Sequence, residues 1–270
     1  MKPGSLIIAG ISGILLCLQV FTPLAQAAGQ VPNDFTSRYS VARAGIKIAE
    51  TSFKLTHQQD GSYLYESHGT PAGVLAWLPV ARANERSHWL LKDGRIRSLS
   101  YDYILNGGGN RNDMSVKFDW PRQKVSIKRK GKLRELDLPE GTVDRFVVQL
   151  AVMMDLQQKR KLLEYKFVDR KRLHTYRFRI RGQEKVETVL GTFDTVKIES
   201  LPGRPHEPRR TIFWSAPELN YMPVKVQQSK RGGATYTMVL EDLQGMDSPT
   251  ITRTRAAQAR RDKEAIESPD

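Results

Sequence analysis

Cysteine is nearly absent: the 270-residue chain has one, Cys17, and it lies inside an apolar N-terminal run. One thiol cannot close an internal disulfide, and no second cysteine is present to share a metal ion. Histidine is scarce too. The five, at 57, 68, 88, 174 and 206, are scattered without ligand spacing, so no metal site and no cofactor is expected. Also missing are a Gly-x-Ser-x-Gly elbow, an aspartate-rich calcium loop and a glycine loop entering a helix. The glycine-rich stretches Asn106-Gly107-Gly108-Gly109-Asn110 and Gly232-Gly233 instead join segments that read as strands. No residue is therefore nominated as catalytic, and a non-enzymatic role is favoured.

Long apolar runs are lacking everywhere but at the start. Lys2 supplies a positive charge, Leu6 to Val20 is almost wholly apolar, Pro23 breaks the run, and Ala25-Gln26-Ala27 offers a small-x-small cleavage pattern. That order describes a cleavable secretory signal over residues 1–27, its apolar part shorter than the ~20 residues of a spanning helix. Leu15 and Leu16 stand where a lipidated cysteine would need a small residue just before it, so Cys17 is not read as a lipid anchor. Cleavage after Ala27 leaves a periplasmic chain with no thiol and no retained transmembrane segment, one domain over 28–247.

Negative charge is in deficit. Lys and Arg number 43 against 29 Asp and Glu, a formal net charge of +14. Such an excess usually raises nucleic acid as a partner, but export separates the chain from it, so no nucleic acid is expected. The anionic surfaces left are envelope lipid, lipopolysaccharide and acidic glycan, which long-range electrostatics would attract; an envelope protein is a further candidate partner. The plainer alternative is that the charge only keeps the protein soluble.

What is present is mostly β-pattern. Ile46–Leu55 partly alternates, and Asp60-Gly61 turns it into Ser62–Glu66. Asp93-Gly94 joins His88–Leu91 to Arg95–Tyr101, because both residues of such a pair tolerate positive φ. Strands over 114–119 and 123–129 follow, with a turn at Lys130-Gly131-Lys132, and further strands read at 176–181, 185–190, 193–200, 209–215, 222–228 and 234–241. One segment differs: apolar residues at 143, 146, 147, 150 and 154 have helical spacing, predicting a helix over 142–158 with Thr142 as N-cap and Asp144 in its first turn. The expected fold is mainly β, a curved antiparallel sheet forming a spiral or incompletely closed barrel around one amphipathic α-helix. The basic segment 248–270 reads as a disordered tail, or a short solvated helix at most.

Two features carry binding hypotheses. Pro71–Val80 is ten residues without a charge, and its Leu75, Trp77 and Leu78, with Trp214 and Tyr221, would line an apolar groove; the plainer reading is packing under the sheet. Arg177, Arg179 and Arg181 alternate with Tyr176, Phe178 and Ile180, which places three cations on one strand face as an anion-binding candidate or a solvated surface.

Three stretches carry a resemblance: Leu138-Pro139-Glu140-Gly141-Thr142-Val143-Asp144-Arg145, Gly191-Thr192-Phe193-Asp194-Thr195-Val196-Lys197-Ile198, and Thr211 to Lys225 with Trp214, Asn220 and Pro223. In order and spacing they resemble DUF3108, a family of exported bacterial proteins of unknown function, over roughly residues 35 to 242. The resemblance implies a periplasmic β-spiral or open barrel around a helix, and no catalytic residue. It leads to a non-enzymatic protein of cell-envelope integrity that binds lipid, lipid-linked glycan or an envelope protein. The alternatives are a hydrolase or transferase on envelope glycan or lipid, and a scaffold docked on an anionic surface.

N-terminal sequencing of exported protein is expected to begin at Ala28. Recovery of Met1 in the inner membrane would refute the cleavage.

Overall fold

The computed structural model describes residues 30–76, 82–106, 113–201, 209–230 and 233–267. The expected signal, and Trp77 and Leu78 of the apolar segment, lie outside the described residues. Fifteen strands form one sheet: β1 (Phe35–Arg43), β2 (Ile46–His57), β3 (Tyr63–Pro71), β4 (Arg82–Lys92), β5 (Arg95–Asn106), β6 (Met114–Asp119), β7 (Lys124–Arg129), β8 (Lys132–Asp137), β9 (Thr142–Asp144), β10 (Leu163–Asp169), β11 (Arg172–Thr188), β12 (Gly191–Leu201), β13 (Arg209–Ala216), β14 (Met222–Lys230) and β15 (Thr235–Gln244). Helix α1 (Val148–Gln157) follows β9, and α2 (Pro249–Glu267) closes the described chain.

Local chemistry sets the hairpins. Ala44-Gly45, Asp93-Gly94 and Lys130-Gly131 all have positive φ at both residues, the backbone that matches the twist of the paired strands. The strand order is β8-β7-β6-β5-β4-β3-β2-β1-β15-β14-β13-β12-β11-β10-β9. The first and fifteenth strands therefore meet in the middle, and the free edges, β8 and β9, are consecutive in sequence. That order forces the sheet to curl. Laid flat at ~4.8 Å per strand, the edges would lie about 65 Å apart, whereas residues 138–141 can span at most about 18 Å. The sheet is one large curved surface that does not close.

β9 does not pair with β8. It runs parallel to β10, from Thr142 against Lys166 to Asp144 against Val168, and α1 supplies the crossover between them. The helix thus begins at Val148, six residues later than its periodicity predicts. Thr142 is a buried strand residue whose hydroxyl donates to the Pro139 carbonyl at 2.7 Å instead of capping a helix. Nor is α1 amphipathic: Val148, Leu150, Val152, Met153, Met154 and Leu156 are all buried, so it lies within the curl and not on its surface. The segments expected as separate strands at 176–181 and 185–190 form the single strand β11. A bulge between Ile180 and Gly182 interrupts its alternation.

The tail is also corrected. Residues 249–267 are helical, which accords with the good helix formers Ala256, Ala257, Gln258, Ala259, Arg260 and Arg261. Its first turn is docked: Ile251 is buried, its N–H donates to Ser248 Oγ at 3.2 Å, and Arg255 donates to Asp242 and to the Leu243 carbonyl. The approach to the β11–β12 turn is close enough that a Cβ at Gly191 would stand 2.6 Å from Thr250.

Trp214 is buried, at 6% exposure, and its Nε1–H donates to Glu184 at 2.6 Å. The ammonium groups of Lys197 and Lys225 stand 5.3 and 4.9 Å from its ring centroid. Trp214→Ala is expected to lower unfolding free energy by about 3–5 kcal/mol, and Trp214→Phe by less. Urea denaturation midpoints measure both.

Candidate functional site

The site grows from the dipeptide Asp144-Arg145 between β9 and α1. Asp144 is fully buried without a salt-bridge partner among the described residues. Four donors surround it. Its Oδ2 accepts the hydroxyls of Ser87 on β4 (2.6 Å) and Ser98 on β5 (2.8 Å); its Oδ1 accepts the N–H groups of Phe146 and Val147 (2.9 and 3.1 Å). Its own N–H donates to Ser98 Oγ at 2.9 Å. The two N–H groups belong to the entrance of α1, whose N-cap residue Val147 offers no side-chain cap. Asp144 therefore fastens the tucked edge strand and the helix start to the far half of the sheet. Burial pushes its carboxyl above the usual range, against the pull of the two hydroxyls and two amides.

Arg145 points into a charged corner. Its Nη2 meets Glu85 Oε2 at 3.1 Å, its Nε donates to Tyr101 Oη at 2.9 Å, and the Tyr101 hydroxyl in turn donates to Glu85. Asp169 lies 3.7 Å from Nη1. Burial would favour the neutral guanidine, and Glu85 and Tyr101 outweigh it, so Arg145 is more firmly protonated than a free arginine. Burial and Glu85 raise the Tyr101 hydroxyl in the same network.

Above this corner lies a cavity of about 430 Å³ between α1 and the inner face of the sheet. The helix contributes Val148, Gln149, Val152 and Met153; the sheet contributes Phe53, Tyr176, Phe178, Phe213, Ser215 and Pro223; Glu85, Arg145 and Phe146 close one side. Phe146 stacks on Tyr65 with ring centroids 4.4 Å apart, which fixes that wall. The size falls in the range of small-molecule pockets, roughly 300–1,000 Å³. Its one ion pair, Glu85–Arg145, is internally satisfied, and Gln149, Ser215 and Gln228 add neutral polar groups, so the space is partly open with a mixed aromatic and polar lining.

A serine, histidine and carboxylate also meet at Ser62, in an arrangement that does not activate the serine. Ser62 Oγ lies 2.6 Å from both Asp60 Oδ1 and His88 Nε2. An ionised carboxylate can only accept, so the Ser62 proton points at Asp60 and His88 serves as the donor, the reverse of an activated serine. Among the described residues no group of three histidines, cysteines or carboxylates is placed to hold a metal ion.

The residues nominated from sequence do not converge on the cavity. Phe213 and Ser215 face it, so Trp214 between them lies on the opposite face, under Lys197 and Lys225. Leu75 sits in a 3-10 turn, Gly73–Leu75, held over β2 by the Ala72 N–H donating to the Ile48 carbonyl. Tyr221 takes positive φ after Asn220 in the turn before β14 and packs on the core edge. Of the arginine stripe, Arg177 pairs with Glu164 (2.6 Å), and Arg181 and Arg210 together clasp Glu199. Burial pushes the Glu199 carboxyl up and the two arginines outweigh it, leaving it below its usual range. Arg179 makes no ion pair among the described residues. Sequence reasoning did reach the other face of this strand, since Tyr176 and Phe178 line the cavity. It missed Glu85, Arg145, Phe146 and Phe213; the available signal was Asp144-Arg145 within the motif before the helix.

The model of the DUF3108 family, described as protein of unknown function, matches residues 35–241. No curated protein matches the chain. Among solved structures it resembles a beta-barrel-like protein of domain of unknown function DUF1849 from Brucella abortus: TM-score 0.53 and 10% identity, over 80% of this chain and 99% of that one. The hypothetical lipoprotein YmcC from Escherichia coli aligns at TM-score 0.30 and 10% identity, over 83% of this chain and 91% of that one. The first likeness is one of fold.

Asp144→Ala strands four buried donors and is expected to cost about 3–5 kcal/mol. Asp144→Asn gives a pH test. The raised folded-state pKa means that the native protein holds this proton more tightly than the unfolded chain. That contribution is present below the ordinary carboxylate pKa and is lost as pH rises through the raised value. The stability lost on Asp144→Asn should therefore be larger at acid pH and shrink on raising it, read from denaturation midpoints across pH.

Proposed function

This chain belongs to the DUF3108 family, and we propose that it is a non-enzymatic exported protein of the bacterial envelope that holds a lipid or lipid-linked glycan in its inner cavity. The observation that carries this reading is the cavity itself: a space of about 430 Å³ in which Phe53, Phe146, Val152, Phe178 and Phe213 stand beside the neutral polar Gln149, Ser215 and Gln228, with its one ion pair at Glu85 and Arg145. Apolar surface of that kind gains by exchanging water for hydrocarbon. The polar end at Glu85 and Arg145 gives an amphiphile a direction.

Catalysis on the same ligand is the weaker reading. Hydrolysis or transfer needs a proton-transfer group free to act, and Glu85 is engaged by both Arg145 and Tyr101. Export agrees with the N-terminal pattern, and among the described residues no helix is long and apolar enough to cross a membrane.

Native mass spectrometry of protein purified from the periplasm is expected to show a co-purifying amphiphile. Gln149 is half-buried on the cavity side of α1, so Gln149→Trp should fill the space and abolish the adduct while the fold survives. An empty wild-type cavity, or an adduct unchanged in Gln149→Trp, would refute the reading.

A further inference from the structure

The charge not used inside the cavity gathers beside it. Arg145 borders both the inner cavity and a second space of about 350 Å³ lined by Tyr103, Met114, Arg129, Asp169 and Arg170. Arg129 and Arg170 in turn border a third space of about 500 Å³, with Lys130, Lys132, Arg134 and Lys171 around it. The three spaces adjoin through shared side chains, Arg145 between the first and second and Arg129 and Arg170 between the second and third, and the third lies in the gap between the β7–β8 hairpin and the β10–β11 hairpin. Beyond Arg145, six cations line the second and third spaces, and Asp169, the one carboxylate lining these two, already faces Arg145.

Several basic side chains elsewhere on the sheet are matched, Arg38 with Glu241, Arg86 with Glu66, Lys124 with Asp137 and Arg177 with Glu164, while others such as Arg179 make no ion pair among the described residues. Here Lys130, Lys132, Arg134, Arg170 and Lys171 have no ion-pair partner among the described residues. Both hairpin turns hold their cations on fixed backbone, with positive φ at Lys130, Gly131 and Arg170. Leu133, 72% exposed, lines the same gap, so an apolar contact stands among the charges. Like charges gathered at one opening repel unless an anion joins them.

We infer that this gap is the headgroup site for the ligand proposed above, and that the ligand is an amphiphile with an anionic phosphate headgroup. The inference rests on the cavity reading and deepens it. Chains would lie among Phe178, Phe213 and Val152, and the phosphate would reach the guanidinium and ammonium groups, arginine by two parallel hydrogen bonds. A neutral glycolipid, or a zwitterion whose own cation must be accommodated, gains nothing from this arrangement.

The test compares two soluble lipids with the same chains, dihexanoyl phosphatidylglycerol and dihexanoyl phosphatidylcholine, with inorganic phosphate at matched ionic strength as a third probe. Calorimetric titration is run on wild type and on Lys132→Gln/Arg170→Gln/Lys171→Gln, whose exposed positions leave the core intact. Each exposed charge contributes little, so three together are expected to give about a tenfold preference for phosphatidylglycerol, weakened by salt and lost in the variant. Affinity for phosphatidylcholine should be unchanged by the substitutions. Equal binding of both lipids by wild type, or a preference that survives in the variant, overturns the headgroup inference and leaves the cavity reading standing. Inorganic phosphate bound as tightly as phosphatidylglycerol also overturns it, by making this a free-anion site. Binding of neither lipid overturns both readings.

Discussion

Residues 138–141 join the two edges of a fifteen-stranded sheet, and the rest of the molecule follows from how short they are. A sheet with its edges tethered so closely must curl, and a curl has an inside. Leu138 is buried at the tether, and Gly141, with positive φ, turns the chain inward. The edge beyond it, β9, is only three residues long and wholly buried, so the strand edge most exposed to pairing with another chain is hidden within the fold. The other edge, β8, stays outside and is guarded differently, with charge on Lys132, Arg134, Glu135 and Asp137.

Two adjacent residues then divide the work of holding the tucked edge and shaping what lies beside it. Asp144 is held by neutral donors alone, two hydroxyls and two amides. A buried carboxylate with no cation nearby survives because every donor is spatially fixed by a strand or by the helix entrance. Arg145 takes the opposite course and sits in a net of Glu85, Tyr101 and Asp169. The first arrangement is geometric and ties β9 to β4 and β5. The second places the charged pair at one side of a cavity with aromatic and neutral polar walls. An alanine at either position would alter both fold and cavity, which is a structural reason for the stretch before the helix to read as a motif.

Legibility in the sequence tracked the range of the interaction. Asp93-Gly94 and Lys130-Gly131 hairpins depend on two residues, and they stand where the dipeptides place them. The helix was found but its start was not, since Val143, Phe146 and Val147 satisfy a helical period while Thr142–Asp144 is drawn into parallel pairing with β10. Periodicity cannot register a partner twenty-four residues away. The side taken by Trp214 was lost for a similar reason: its size marks it as buried, but both faces of this sheet bury large rings where lysine stems cover the outer one. Charge and low apolar content make the tail 249–267 read as solvated, whereas buried Ile251, with Ser248 and Arg255 beside it, docks its start on the sheet. Residues of the cavity come from β2, β4, α1, β11, β13 and β14, and no local pattern assembles such a set.

The arginine stripe shows why charge read along one strand misleads. Arg177 and Arg181 alternate as a binding face should, yet Glu164 on β10 and Glu199 on β12 neutralise them from the neighbouring strands. A cation facing a carboxylate across a strand pair has little field left to offer a ligand. Lys130 and Arg170 keep theirs at hairpin tips, where no neighbouring strand brings a carboxylate to them among the described residues. The same topology that curls the sheet brings those tips to one gap. Part of the positive charge is thereby gathered by the fold at one gap, beside the space that Arg145 shares with the inner cavity.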